Sequence, residues 1–129
     1  MPTVANHMTR ELLTIEPDAA MAEAARRMAS RGVGAIVVLE GDRLAGIITE
    51  RDILKAVAAG VSEGARVVDW MTRHPETIEP AEDTDQAAAL MIHGGFRHLP
   101  VVEEGRTVGI LSIRDLMRVA LEDRAPRGV

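Results

Sequence analysis

The stretch Gly46-Ile47-Ile48-Thr49-Glu50-Arg51-Asp52 returns 63 positions later as Gly109-Ile110-Leu111-Ser112-Ile113-Arg114-Asp115. Both copies read as an apolar strand that ends on a hydroxyl residue and runs straight into a helix with an acid in its first turn. Sliding the chain against itself by the same offset lays Met8–Leu54 on Met71–Met117 without a gap, and 18 of those 47 pairs are identical. The matching blocks include Met8-Thr9-Arg10 on Met71-Thr72-Arg73, Thr14-Ile15-Glu16-Pro17 on Thr77-Ile78-Glu79-Pro80, and Ala24-Ala25 on Ala87-Ala88. Two copies at so long a period do not make a solenoid, so the repeat predicts a pseudo-symmetric pair.

Working outward from the motif, each copy carries the same pattern of elements. In the first, Thr14-Ile15 is a short extended piece stopped by Pro17. Met21, Ala24, Ala25 and Met28 recur at helical spacing, which predicts an amphipathic helix from about Asp18 to Arg31, with Asp18 as N-cap and Gly32 as the stop. Ala35–Leu39 and Leu44–Thr49 flank the turn residues Glu40-Gly41-Asp42-Arg43 and predict a β-hairpin. A second helix is expected from Glu50 to about Ala59. The second copy repeats this with Thr77-Ile78, a helix from Asp83 to His93, strands at Leu99–Val102 and Thr107–Leu111, and a helix from Ile113 to Leu121. Asp83 and Gln86 have capping-box spacing. The repeats divide the chain at 1–60 and 61–129, with Ala58–Gly64 as linker and a fraying tail from Asp123.

The fold class that follows is α+β, built from tandem β-α-β-β-α units related by a pseudo-twofold. One three-stranded unit alone leaves a bare sheet face and is marginal. Small faces at Ala24/Ala25 and Ala87/Ala88/Ala89 predict close helix packing.

Composition narrows the function. The chain has 129 residues, 47% hydrophobic and 27% charged, the balance of a soluble globular protein. Its aromatic residues are Trp70 and Phe96 alone and its formal net charge is −5, so it has neither stacking platforms nor a field for nucleic acid. The absence of cysteine removes disulfides, thiolate metal sites and thiol nucleophiles, and no apolar run reaches the ~18 residues of a membrane span. The expected localisation is cytoplasmic, with no membrane partner.

The duplicated motif admits two chemical readings. Thr49 with Asp52, and Ser112 with Asp115, can simply cap their helices. Alternatively, a carboxylate accepts from two vicinal hydroxyls while helix N–H groups and an arginine donate to phosphate, which suits a ribose phosphate.

The paired pattern of Gly-apolar-apolar-Thr/Ser-x-x-Asp, twice within the chain, resembles a cystathionine-β-synthase (CBS) domain pair, or Bateman module, of the stand-alone type. Gly95-Phe96-Arg97-His98-Leu99-Pro100-Val101-Val102 through Asp115 is the more specific half. The resemblance implies two clefts between the repeats, binding AMP, ADP, ATP or S-adenosylmethionine as a regulatory ligand, with no cofactor required; an enzyme is the third reading, since the residues offer no nucleophile or acid–base pair. It implies Asp52 and Asp115 as ribose ligands, Thr49 and Ser112 as hydroxyls near ribose or phosphate, and Arg51 and Arg114 as phosphate candidates. Thr14, Ile15, Thr77 and Ile78, with backbone near Ile36-Val37 and Leu99-Pro100, would line the base. Arg97 and His98 add phosphate donors, but their partners in the first copy are Gly34 and Ala35, so unequal sites are expected. The resemblance also implies a homodimer and a regulated partner on another chain. The alternative is a scaffold or protein-interaction module of the same fold that binds no ligand.

The remaining residues read as structure. His7, His74, His93 and His98 lack ligand spacing, and Ser30, Ser62 and Ser112 lack a nucleophile elbow. Gly32-Val33-Gly34 and Gly94-Gly95 follow helices and read as C-caps. Trp70, aligned with His7 ahead of its repeat, is expected to staple the arm before the second copy onto the first. Met21, Met28, Met91 and Met117 are expected to fill core.

Overall fold

The hairpin expected on either side of Gly41 forms, and the rest of its unit assembles along its two edges. The computed structural model describes residues 2–60 and 64–124. Strands β2 (Ala35–Glu40) and β3 (Arg43–Thr49) pair antiparallel from Ala35 opposite Thr49 to Glu40 opposite Arg43, with a bulge at Val38/Leu39. Gly41 supplies φ +63 at the turn, a conformation that costs a glycine little. Strand β1 (Thr14–Ile15) adds parallel to β2, Thr14 opposite Val37. Between them runs α1 (Met21–Arg31), whose buried side chains Met21, Ala24 and Met28 sit at the helical spacing expected. They pack with Ile15, Ile36, Val38 and Ile48 into one core, and α2 (Glu50–Ala58) adds Ala56.

The second repeat builds a matching unit. Strands β5 (His98–Glu103) and β6 (Arg106–Ser112) pair from His98 opposite Ser112 to Glu103 opposite Arg106, with the bulge at the equivalent place, Val101/Val102. Ile78 bridges in parallel to Val101, as β1 does to β2. Helices α4 (Thr84–Gly94) and α5 (Ile113–Arg124) follow the pattern, and Ile78, Ala87, Met91, Leu99, Val101, Leu111 and Leu116 form the core. The pattern is α+β, twice over.

The short arm before each repeat is the element that motif reading did not resolve. Ahead of the second repeat, α3 (Val67–Trp70) and β4 (Thr72–Arg73) dock on the first: β4 completes a sheet of order β1-β2-β3-β4, with Thr72 opposite Ile47. Trp70 packs against the first repeat's core, the stapling role expected of it. Ahead of the first repeat, a 3-10 turn at Val4–Asn6 and the residue Thr9, bridged to Ile110, dock on the second. The compact units are accordingly Leu12–Pro75 and, for the other, Met1–Glu11 with Glu76–Val129, whereas the sequence repeats run consecutively.

The two dockings match bond for bond. Val67 N donates to the Ala19 carbonyl at 2.9 Å and Val68 N to Pro17 at 2.8 Å; 63 positions away, Val4 N donates to Glu82 at 2.8 Å and Ala5 N to Pro80 at 2.9 Å. For the first-copy arm the relation is offset to the other unit: Val4 is the counterpart of Val67, Glu82 of Ala19. Met21 N donates to Ala65 O at 2.9 Å, and its counterpart Thr84 N to Pro2 O at 3.1 Å. Val4 and Val67 are both fully buried.

This docking corrects one expectation. α1 begins at Met21 with Ala20 as N-cap, not at Asp18, because Ala20 bridges Arg66 and the first helical N–H is taken by Ala65. In α4 the position equivalent to Ala20 is Asp83, whose carboxylate accepts from Gln86 N at 2.8 Å, so the cap expected there forms. Gly32 and Gly95 close α1 and α4 in the left-handed conformation, while Gly94 belongs to α4 itself. α5 continues to Arg124, past the Asp123 at which fraying was expected. Residues 61–63 of the linker and 125–129 of the tail lie outside the described residues.

Candidate functional site

In each unit the strand that carries the motif ends beside the start of its neighbour, and the helix begins without a loop. Glu50 N donates to Gly34 O at 3.1 Å, and Ile113 N to Arg97 O at 2.8 Å. These bonds hold the helix N-terminus against the opening of β2 or β5. The motif's hydroxyl residue therefore lies opposite the segment that differs between the copies, Thr49 opposite Ala35 and Ser112 opposite His98.

The acid is first of all a cap. Asp52 Oδ2 accepts from Thr49 N at 2.9 Å and from Thr49 Oγ1 at 3.2 Å. Asp115 Oδ2 accepts from Ser112 N at 2.8 Å and from Ser112 Oγ at 3.0 Å, and Asp115 N donates back to Ser112 Oγ at 3.2 Å. One oxygen of each carboxylate satisfies an N–H that the helix leaves without a partner. The second oxygen is where the copies part. Asp115 Oδ1 lies 3.4 Å from Arg118 Nη1, whereas among the described residues none bonds Asp52 Oδ1. Asp115 is buried and Asp52 half-buried.

The glycine of the motif has a different task. A Cβ on Gly46 would stand 2.6 Å from Thr72 O and 2.8 Å from Met71 Sδ, and one on Gly109 would stand 2.6 Å from Met8 Sδ and 2.9 Å from Thr9 O. It makes room for the arm.

The residues expected to line a base fall beside the strand–helix junctions. Thr14 and Ile15 flank β2, Val37 N donating to Leu13 O at 3.0 Å; Ile78 N donates to Pro100 O at 3.1 Å and Val102 N to Ile78 O at 2.9 Å. The side chains of Ile15 and Ile36 belong to one core and those of Ile78 and Leu99 to the other. Val37 and Pro100 are also buried. At these six positions the side chains are committed to the cores, so any contact with a base would be through main chain, the role expected of Ile36-Val37 and Leu99-Pro100. Thr14 is half-buried and Thr77 exposed.

The cationic candidates divide by exposure. Arg51, Arg97 and Arg114 are exposed, and His98 is half-buried opposite Ser112. Two arginines escaped the motif reading. Arg27 Nη1 donates to Thr14 O at 2.8 Å, and its counterpart in the second repeat is Leu90. Arg118 stands three residues beyond Asp115, the spacing that brings helix side chains together, and that spacing was the available signal.

With the geometry in view, the comparisons with known proteins are consistent. The family model described as "CBS domain" matches residues 4–59 and again 67–122. A protein with CBS domains from Burkholderia ambifaria MC40-6 has a similar structure at TM-score 0.90 and 34% identity, covering 98% of this chain and 99% of that one. The CBS domain pair of protein MJ0100, solved with 5′-methylthioadenosine and S-adenosyl-L-methionine, aligns at TM-score 0.90 and 26% identity over 95% of this chain and 98% of that one. CBSX2, solved with AMP, aligns at TM-score 0.85 and 26% identity over 97% and 100%. The chain spans 70%, 42% and 58% of the length of three curated relatives it matches at 37%, 34% and 33% identity. Two matched domains, repeated junctions and whole-chain structural likeness together make this chain a member of the CBS domain family, with the two domains arranged as a tandem pair.

Proposed function

We propose that the chain is a regulatory module that binds an adenosine-containing ligand, drawn from AMP, ADP, ATP and S-adenosylmethionine, and passes its occupancy to a partner protein. The observation that carries this reading is the twice-built junction at which a carboxylate caps a helix N-terminus with an arginine next to it in the chain. Two structural neighbours solved with adenosine ligands support it. In this reading Asp52 and Asp115 accept from ribose hydroxyls through the oxygen not used in capping. Thr49 and Ser112 stand close to ribose or phosphate, and Arg51, Arg97, His98 and Arg114 offer phosphate donors. Main chain at Ile15, Ile36, Val37, Ile78, Leu99 and Pro100, with Thr14 and Thr77, frames the base. The module works in the cytoplasm as a homodimer, without catalysis and without a required cofactor.

Thermal unfolding in the presence of AMP, ADP, ATP, 5′-methylthioadenosine and S-adenosylmethionine tests the proposal. A ligand at about 100 times its Kd stabilises by about 2.7 kcal/mol, several degrees in Tm for a chain of this size. No shift with any of the five at millimolar concentration would sink the reading.

The capping bonds favour a second reading, a ligand-free scaffold, because they give both acids a complete structural role. Asp52→Ala and Asp115→Ala separate the two. A scaffold loses about 0.5–2 kcal/mol of stability with each. A sensor loses its ligand response as well.

A further inference from the structure

Arg118 sets the second unit's carboxylate apart from the first's. Asp115 is 8% exposed, and both of its oxygens are engaged: Oδ2 by Ser112 N and Oγ, Oδ1 by Arg118 Nη1 at 3.4 Å. The Arg118 side chain is itself 64% exposed, so the pair is screened by solvent and weak enough to be exchanged for another anion. In the first unit the equivalent position is Lys55, and among the described residues no cation reaches Asp52, whose Oδ1 is left open.

A ribose diol needs an acceptor with capacity to spare, and Oδ2 already serves two donors in each unit. The diol must therefore use Oδ1. In the first unit it meets no competitor. In the second it displaces a guanidinium, which is then without its anion unless the ligand brings one. A phosphate does so in a geometry that suits arginine, whereas an uncharged nucleoside leaves the guanidinium unpaired.

We propose that Arg118 is a specificity-determining residue, reserving the second unit's site for adenosine ligands with an anionic group and leaving uncharged ones to the first. The inference rests on the adenosine reading given under Proposed function. It makes the two sites unequal by exchange of one ion pair.

Calorimetric titration of AMP and 5′-methylthioadenosine tests it in Asp52→Asn protein. That background withdraws the first unit's carboxylate charge but keeps an acceptor for the Thr49 N–H. Adding Arg118→Gln should tighten 5′-methylthioadenosine by about two- to fivefold, the range of an exposed ion pair removed, and weaken AMP by a similar factor or more. Arg118→Lys should fall between. A shift of both ligands in the same direction, or of neither, overturns the selectivity role while leaving the adenosine reading intact. Binding of neither ligand by any of these proteins or by the wild type overturns both.

Discussion

Met71 lies so close to Gly46 that a side chain there would force its surroundings to shift: a Cβ would stand 2.8 Å from the methionine sulfur and 2.6 Å from the carbonyl of Thr72. Met8 and Gly109 repeat the relationship in the other unit, at 2.6 Å. The glycine shared by both copies of the motif thus serves the arm that pairs with its strand, and the ligand chemistry proposed for the motif belongs to its other end.

Gly46→Ala should destabilise the protein by about 1–3 kcal/mol through overpacking. The nearest atom at Gly46 is a main-chain carbonyl, whereas at Gly109 it is a flexible methionine sulfur, so Gly109→Ala should be the milder of the two. Denaturant unfolding of both variants checks the order as well as the size.

Val4 is fully buried although it stands near the start of the chain, and it belongs to the core of the second repeat. Val4→Ala should lower stability by about 1.5–3 kcal/mol, the value of a buried valine. It should also speed amide exchange at Thr9 and Ile110, whose mutual N–H···O bonds at 2.9 and 3.0 Å hold the arm to β6. Unchanged exchange at both amides would mean that the arm docks independently of its valine.

Gly32 and Gly95 end their helices at φ +66 and +72, and a Cβ at either would meet nothing within 4 Å. An alanine at either position should therefore be penalised only by the left-handed backbone, about 1–2 kcal/mol. Asparagine, which tolerates that conformation better, should recover part of the loss. Equal Tm values for the alanine and asparagine variants would contradict this account.

Much of the pattern was legible where the information was local, although Met117, expected in the core, is 60% exposed. Met21, Ala24 and Met28 face one core at helical spacing, Gly41 marks the hairpin turn, and Asp83 caps α4 through a bond three residues away. Asp18 illustrates the opposite case: as a local signal it is a sound N-cap, but the Ala20–Arg66 bridge and the Met21–Ala65 bond bring a distant segment to the helix start and move it inward. In the candidate site, the Thr49–Asp52 and Ser112–Asp115 pairs were readable as a repeated motif. Arg118 was not, since it lies outside the motif and matters only through the second oxygen of Asp115.

The duplication, the order of strands and helices within each copy, the capping residues of three-residue reach, and the inequality of Arg97-His98 with Gly34-Ala35 are all legible in residue order alone. These depend on periods of two to four residues or on direct comparison of the copies, and both are visible along a line. Beyond the stapling expected of Trp70, the pairing of residues 66–73 and 3–10 with their sheets, the close approach of those arms to Gly46 and Gly109, and the pairing of one carboxylate while its twin is open emerge only from the folded chain. The arm's hydrogen bonds join residues tens of positions apart, such as Val67 with Ala19 and Val4 with Glu82. No local pattern of residues encodes such a pairing; it is selected by which sheet edge and which buried valine site remain to be filled once the hairpins have formed.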